Sequence, residues 1–423
     1  MKFHAWACAS LLVGMTAPAL AQYFHPLGYL PTGTHESTGF GISYDGHTLV
    51  GAGDTAAGYE AFRWSDSMRA LGDLPGGTVF SVARGVSGDA QVVVGAGNYA
   101  DAGLKEAFSW TSGTDMVGLG DLPGGSFDSE AWATSQDGSV IVGIGHSAVD
   151  AEAFRWTANS GMVGLGLLSE TDYSRAFGVS GNGTIVVGDS ASFSGSGRSE
   201  AFHWTQETGM VGLGFLVPPG QTRFTTATAI SADGTTIVGQ ANTPTSPGVA
   251  FKWRDGVMTA LPDLPGGWES SYAYGVSADG SIIVGWSDGG QGYTQAVFWD
   301  SSGVHDLRDH LVSLGAGLTG WTLYQAMGVS ANGVVVVGYG RNPQGNFEAF
   351  RAVLVGTSLC CSADYNCDGD TGTDGDIESF FACLAGSCPA APCTSTADFN
   401  GDGDSGTDAD IEAFFRVLAG GVC

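Results

Sequence analysis

The sequence predicts an all-β fold, a seven-bladed β-propeller with four-stranded blades, followed by a small α-helical C-terminal domain. Three observations predict it. One unit of about 47 residues recurs along most of the chain, the size of a propeller blade. Six of the seven copies carry an Asp-Gly or Asn-Gly turn, and every copy has a short apolar run ending in Val-Gly. The composition, with 69 Gly and 14% charged residues, favours tight turns and apolar strands over charged helices.

The first residues come before the repeats. Residues 1–21 read as a secretory signal: Lys2 opens the segment, an apolar stretch follows, and Ala19-Leu20-Ala21 is a small-x-small cleavage site. The apolar stretch is too short to span a bilayer, and no later segment is long enough, so an exported protein without a transmembrane segment is expected.

Residues 22–356 hold the repeats. The landmark recurs as Val50-Gly51, Val94-Gly95, Val142-Gly143, Val187-Gly188, Val238-Gly239, Val284-Gly285 and Val337-Gly338. Before it stand the turns, from Asp45-Gly46 to Asn332-Gly333, which predict two-residue hairpins with positive φ at both centres. Ala90 departs from the pattern and predicts a weaker turn or one of another type. The run after each turn is apolar without alternation, which predicts a strand buried on both faces. A third segment ends in Trp64, Trp110, Trp156, Trp204, Trp253 or Trp299, with Ala352 in the last copy. A fourth carries the leucine pairs Leu71–Leu74 through Leu261–Leu264, often closed by Asp-Leu-Pro-Gly-Gly. The repeats begin on a fourth segment, residues 25–30, and end on a third, residues 348–354. Pairing the two would close a ring and remove two exposed sheet edges. The hairpin strand is expected innermost. The last unit is degenerate, with an extra stretch around residues 305–325.

Ala-Phe pairs mark the third segments: Ala61-Phe62, Ala107-Phe108, Ala153-Phe154, Ala201-Phe202, Ala250-Phe251 and Ala349-Phe350. On these residues the units resemble the bacterial extracellular HAF repeat family, which implies an exported location. The His of that family's name is Glu here (Glu60, Glu106, Glu152, Glu200, Glu348), so no role for it carries over.

Residues 360–423 form the C-terminal domain. They hold 12 acidic residues and one basic one, Arg416, within a chain of net charge −28. With 15 Lys and Arg and no basic cluster, nucleic acid is not an expected partner. Two copies of one motif occur, DYNCDGDTGTDGDIESFFACLAG from Asp364 and DFNGDGDSGTDADIEAFFRVLAG from Asp398. Oxygen-bearing side chains at alternate positions, then Gly, form the front half of an EF-hand loop for Ca²⁺. The expected ligands are Asp364, Asn366, Asp368 and Asp370 in one copy and Asp398, Asn400, Asp402 and Asp404 in the other, making two sites. The twelfth position holds Gly375 or Ala409, so the loop reads as one residue longer. Asp376 and Asp410 then close it, with Asp374 and Asp408 as rivals. Behind each loop, Ile377, Phe380, Phe381 and Leu384, and Ile411, Phe414, Phe415 and Leu418, fall on one helix face. Cys367 and Cys383 are both absent from the second copy, which makes them the candidate disulfide pair. Five further cysteines leave one over.

The tail resembles a type I-like dockerin of the planctomycete (GC-type) version. That resemblance implies calcium-organised loops and helices that dock on a cohesin-like or cell-surface partner.

No catalytic residue is assigned: the histidines lack metal spacing, and no nucleophile elbow or phosphate loop is present. The repeated tryptophans read as blade packing, and the off-pattern Trp132, Trp268, Trp286 and Trp321 as ligand candidates. The expected function is a secreted, non-enzymatic binding or scaffold protein. Its propeller would present a glycan or protein site through variable loops at residues 98–105, 190–199 and 241–249. The alternatives are an enzyme or accessory protein of extracellular polysaccharide degradation, and a structural surface-layer component.

Overall fold

The computed structural model describes residues 23–99, 104–168, 171–191, 199–354, 365, 373–387 and 407–418. Antiparallel four-stranded meanders dominate it. Ser37–Ile42, Leu49–Asp54, Gly58–Trp64 and Met68–Ala70 form the first, and Val79–Val86, Val93–Tyr99, Leu104–Thr111 and Asp115–Gly118 the second. A short parallel contact, Gly58 with Val79 and Tyr59 with Phe80, joins these two into one sheet. Sheets beginning at Glu130–Thr134, Tyr173–Val179, Thr225–Ile230 and Ser271–Val276 repeat the same order. The last sheet is composite: Thr322–Val329, Val335–Arg341 and Phe347–Val353 take Phe24–Pro26 as their outer strand. The fold is a β-propeller.

The closing strand pairs Phe24 with Ala352, His25 with Arg351 and Pro26 with Phe350, as the ends of the repeats predict. Its packing explains why Ala352 stands where other copies have Trp. In five other copies the third-strand Trp faces a fourth-strand Met, as in Trp64 with Met68 and Trp110 with Met116, and Trp299 faces Val304. At the seam the bulk changes sides: Phe24 packs on Phe350 and Trp321, at ring distances of 5.5 and 5.0 Å.

The Val-Gly and Ala-Phe landmarks prove to be one device. In register, Gly51 faces Phe62, Gly95 faces Phe108 and Gly143 faces Phe154. A Cβ on Gly95 would sit 1.9 Å from the Val82 carbonyl oxygen and 2.9 Å from the Phe108 ring. Only Gly leaves room for the neighbouring backbone and the ring together, and each of these phenylalanines is fully buried.

Two local expectations are corrected. The turns are not two-residue hairpins: Ser43 N–H bonds to the Thr48 carbonyl, leaving a four-residue loop, and only its Gly has positive φ. Ser43 and Asp45 explain it, because the Ser hydroxyl donates to the Asp carboxylate, which in turn accepts from His47 N–H. The Ala90 loop keeps this shape, with Ala90 itself at φ 60°. The fourth strands also end before their leucine pairs. Leu71 and Leu74 belong to the following loop, where they are buried between neighbouring sheets. The extra stretch near residue 305 contains a helix, Leu307–Ser313, capped by the Asp306 carboxylate and packed under the closing sheet through Leu307 and Leu311.

In the tail, helices Asp374–Leu384 and Asp408–Leu418 meet through Phe380 and Phe414, stacked at 4.0 Å, with Tyr365 edge-on to both. The expected helix face is divided: Phe380 and Phe414 are buried, whereas Phe381 and Phe415 stay largely exposed beside each other. Cys383 is buried in this small core, and Cys367 lies outside the described residues. No helix among the described residues is long and apolar enough to cross a membrane.

Candidate functional site: the axial cup

Four innermost strands carry the pattern Ala-x-Gly-Val-Ser, in Ala83–Ser87, Ala176–Ser180, Ala273–Ser277 and Ala326–Ser330, and the other three vary it while keeping the final Ser. At x the ladder slips by one residue in every copy. A bulge of this kind bends the strand and re-aims one side chain. The bulged residues are Phe40, Arg84, Trp132, Phe177, Thr228, Tyr274 and Met327. Arg84, Trp132, Phe177, Thr228 and Tyr274 line an axial cavity of about 200 Å³. Deeper in, β-branched residues such as Ile42, Val179, Ile230 and Val329 continue its wall. A small residue, Gly or Ala, follows each bulge and lets the strands converge: a Cβ on Gly41 would lie 2.9 Å from the Arg84 carbonyl oxygen.

One end of this cavity is closed. Backbone hydrogen bonds of 2.8–3.2 Å run from hairpin to hairpin. Tyr44 donates to Gly88, Gly88 to Gln136, Gln136 to Gly181, and Gly181 to Ala232. Asp233 then donates to Ala278, Ala278 to Ala331, and Ala331 back to Tyr44. The Tyr44 ring lies across the opening that remains. A Cβ added to Gly88 or to Gly181, on different hairpins, would come within 3.0 Å of it. Burial raises the Tyr44 pKa accordingly. The channel is therefore a cup, open only at the opposite face.

That open face carries aromatic rings and paired charges. Trp132 stacks on Phe177 at 4.3 Å, and Tyr272 on Tyr274 at 4.7 Å. Glu130 accepts from Lys105 Nζ at 2.6 Å and Trp132 Nε1 at 3.2 Å, and lies 3.6 Å from Arg84. Burial opposes its ionisation, but the Lys105 bond and the charges of Lys105 and Arg84 outweigh that and lower its pKa. Arg175 holds the fully buried Asp189 with two bonds, of 3.0 and 2.7 Å, and lies over the Phe177 ring. Burial, with Tyr274 and Tyr59 nearby, pushes the Tyr339 hydroxyl up to about 12.

The off-pattern tryptophans separate. Trp132 lines the cup, and Trp286 donates to the Tyr274 hydroxyl at 3.3 Å. Trp321 is buried against Phe24 and belongs to the core. Trp268 is 82% exposed beside Pro247 and Glu269, in a shallow depression next to the loop at residues 241–249. The bulged Arg84, Phe177 and Tyr274 escaped the sequence reading. Their signal was the one position that changes chemistry from copy to copy within Ala-x-Gly-Val-Ser.

The glutamates that precede the Ala-Phe pairs are structural in several copies. Glu106 and Glu152 accept from Gly120 and Gly166 N–H, at 3.0 and 2.8 Å, tying the third strand to the turn after the fourth. Asp300, Ser302 and His305 lie together, but Nε2 of His305 faces both the carboxylate and the hydroxyl. A relay through the imidazole needs both ring nitrogens.

Of the calcium-site residues, Asp364, Asn366, Asp368, Asp370, Asp398, Asn400, Asp402 and Asp404 lie outside the described residues, as do the side chains of Asp374 and Asp408. Asp376 and Asp410 are described and fully buried. Asp376 accepts from Thr373 N–H and hydroxyl with one oxygen and from Tyr365 N–H, in the loop, with the other. Asp410 repeats the bonds to Thr407. Among the described residues, no group of three or more His, Cys, Asp or Glu is placed to hold a metal.

No family model and no curated protein matches the chain. Solved structures do. A puromycin hydrolase mutant complexed with PGG is similar at 13% identity and a TM-score of 0.51, over 76% of this chain and 52% of the hydrolase. This chain thus spans about half of that enzyme's length. A TolB from Acinetobacter baumannii is similar at 11% identity and a TM-score of 0.40, over 73% of this chain and 80% of TolB. The β-propeller domain of the Trilobed protease from Pyrococcus furiosus is similar at 12% and 0.44, over 64% and 82%.

Proposed function

We propose that this chain is a secreted, non-enzymatic binding protein. A seven-bladed propeller of HAF-type repeats would take a ligand in its axial cup, and a dockerin-like tail with two Ca²⁺ would attach it to a cohesin-like or cell-surface partner. The observation that carries the reading is the cup itself. Arg84, the charged residue of its wall, lies 3.6 Å from Glu130, and its aromatic rings face the opening at the end away from the hairpins. Such a wall recognises shape and hydrogen bonding without supplying an unpaired acid or base.

The tail supports the second half of the reading. Asp376 and Asp410 stand at equivalent places, buried at the helix starts, and the bond from Tyr365 N–H sets Asp376 against the loop it would close. Asp376 caps its own helix through Thr373 and also reaches the loop through Tyr365, a junction that, with Asp374 and Asp408 as rivals, suits the closing ligand assigned to Asp376 and, by repetition, to Asp410. Ca²⁺, held by these and the Asp and Asn residues upstream, would supply the charge that organises the acidic loops. A Cys367–Cys383 bond would brace the first copy. The exposed pair Phe381 and Phe415 offers an apolar contact for the partner.

Calorimetric titration of the intact chain tests this. Two equivalents of Ca²⁺ should bind, Asp398→Ala should weaken one of them, and the propeller's melting transition should stay in place. Absence of calcium uptake overturns the account of the tail. Capture of a cell-surface partner that a chelator does not release overturns its calcium dependence.

A further inference from the structure

The cup's shape restricts how a ligand enters. Its floor is closed by the circle of backbone hydrogen bonds and the Tyr44 ring, so nothing can thread through. At about 200 Å³ it is smaller than the roughly 300–1,000 Å³ of pockets that enclose whole drug-sized ligands. A polymer can therefore offer it only an end.

The wall restricts which polymer. Trp132, backed by Phe177, and Tyr274 present flat apolar rings. Between them stand the donors, the Arg84 guanidinium and the Tyr274 hydroxyl, and two acceptors, the hydroxyls of Thr134 and Thr228, whose own protons go to the Val140 and Ala273 carbonyls. Flat faces with interspersed donors and acceptors suit a sugar ring, which shows C–H groups on its faces and hydroxyls at its edge. A peptide end carries a full charge and needs an opposite one. An amino end finds no free carboxylate here, because Glu130 is taken by Lys105 and Arg84, and Asp189 by Arg175; a carboxylate end, which could meet the two cations that share Glu130, is the rival that the peptide library below tests. We propose that the cup binds the terminal residue of a neutral saccharide chain, entering end-on from the open face. This rests on the reading of the propeller as a binding protein and adds the ligand class and the direction of entry.

The test uses the intact chain on an array of linear neutral oligosaccharides, followed by calorimetry on the tightest. That oligosaccharide is compared with a form whose free terminal residue is methylated and with a cyclic oligosaccharide of the same linkage. The linear form should bind and raise the melting temperature, the methylated form should bind roughly tenfold more weakly or worse, and the cyclic form should not bind. Trp132→Ala should cost roughly tenfold or more, with Trp132→Phe recovering part of it. If Trp132→Ala does not fold, Tyr274→Phe, which keeps the ring, should still weaken binding. Equal binding of the blocked or cyclic forms overturns end-on entry and leaves the binding protein standing. A peptide library that competes for the cup where no saccharide binds overturns the ligand class alone. If neither class binds, the reading of the cup as a ligand site fails with it.

Discussion

At the scale of single residues, one hydroxyl repeatedly joins neighbouring sheets. Ser129 accepts from Ala107 N–H at 3.0 Å and donates to the Gly120 carbonyl at 2.7 Å. Ser37, Ser81, Ser174 and Thr225 do the same between other sheets. Each of these side chains is fully buried, so removing it strands a backbone donor. Ser129→Ala should cost about 1–3 kcal/mol in urea unfolding. Ala90 gives the opposite case. An L-residue in the left-handed region costs roughly 1–2 kcal/mol, so Ala90→Gly should stabilise by about 1 kcal/mol on the same measurement. Glu130 predicts a pH dependence. Its folded pKa lies below the unfolded value, so its contribution is present above the usual Glu range and is lost as pH falls through the folded pKa. The melting temperature of the native chain should exceed that of Glu130→Gln near pH 7, and the gap should close in acid.

At the scale of strands, the sequence showed what local chemistry dictates and hid what pairing dictates. Val-Gly and Ala-Phe were visible as landmarks because the close approach of Gly95 to Phe108 tolerates no substitute. Gly95→Ala should cost about 3 kcal/mol or more, or prevent folding, as measured by circular dichroism of the purified chain. The bulges were not visible. Arg84 or Phe177 in an otherwise alternating strand looks ordinary until the register across the ladder is known. The turns were misjudged for a related reason: Asp-Gly signals positive φ, but the Ser two residues before Asp45 sets the loop length. In the tail, helix periodicity located the Phe pairs, whereas the partition of Phe380 from Phe381 depends on the facing helix.

At the scale of the whole molecule, the ring is sealed by three residues of strand. Across that seam Glu348 accepts from Gly28 N–H at 3.1 Å, the bond that Glu106 and Glu152 make within one continuous stretch of chain. Ser37 bridges Ala349 and Gly28 in the same way. Phe24→Ala should cost about 3–5 kcal/mol, since it empties a buried site between Trp321 and Phe350. Differential scanning calorimetry would show the loss as a lower transition for the whole propeller. Where Tyr324 stands in place of the bridging Ser, the helix Leu307–Ser313 and its neighbours Leu318 and Trp321 fill the space. The bulges have a consequence of another kind. The circle that holds the hairpins together is made of main chain alone, while each axial side chain hangs from the one residue its ladder skips. The side chains around the axis can thus differ from blade to blade while the framework stays fixed, so repetition of one small unit gives a regular scaffold with a varied axial wall.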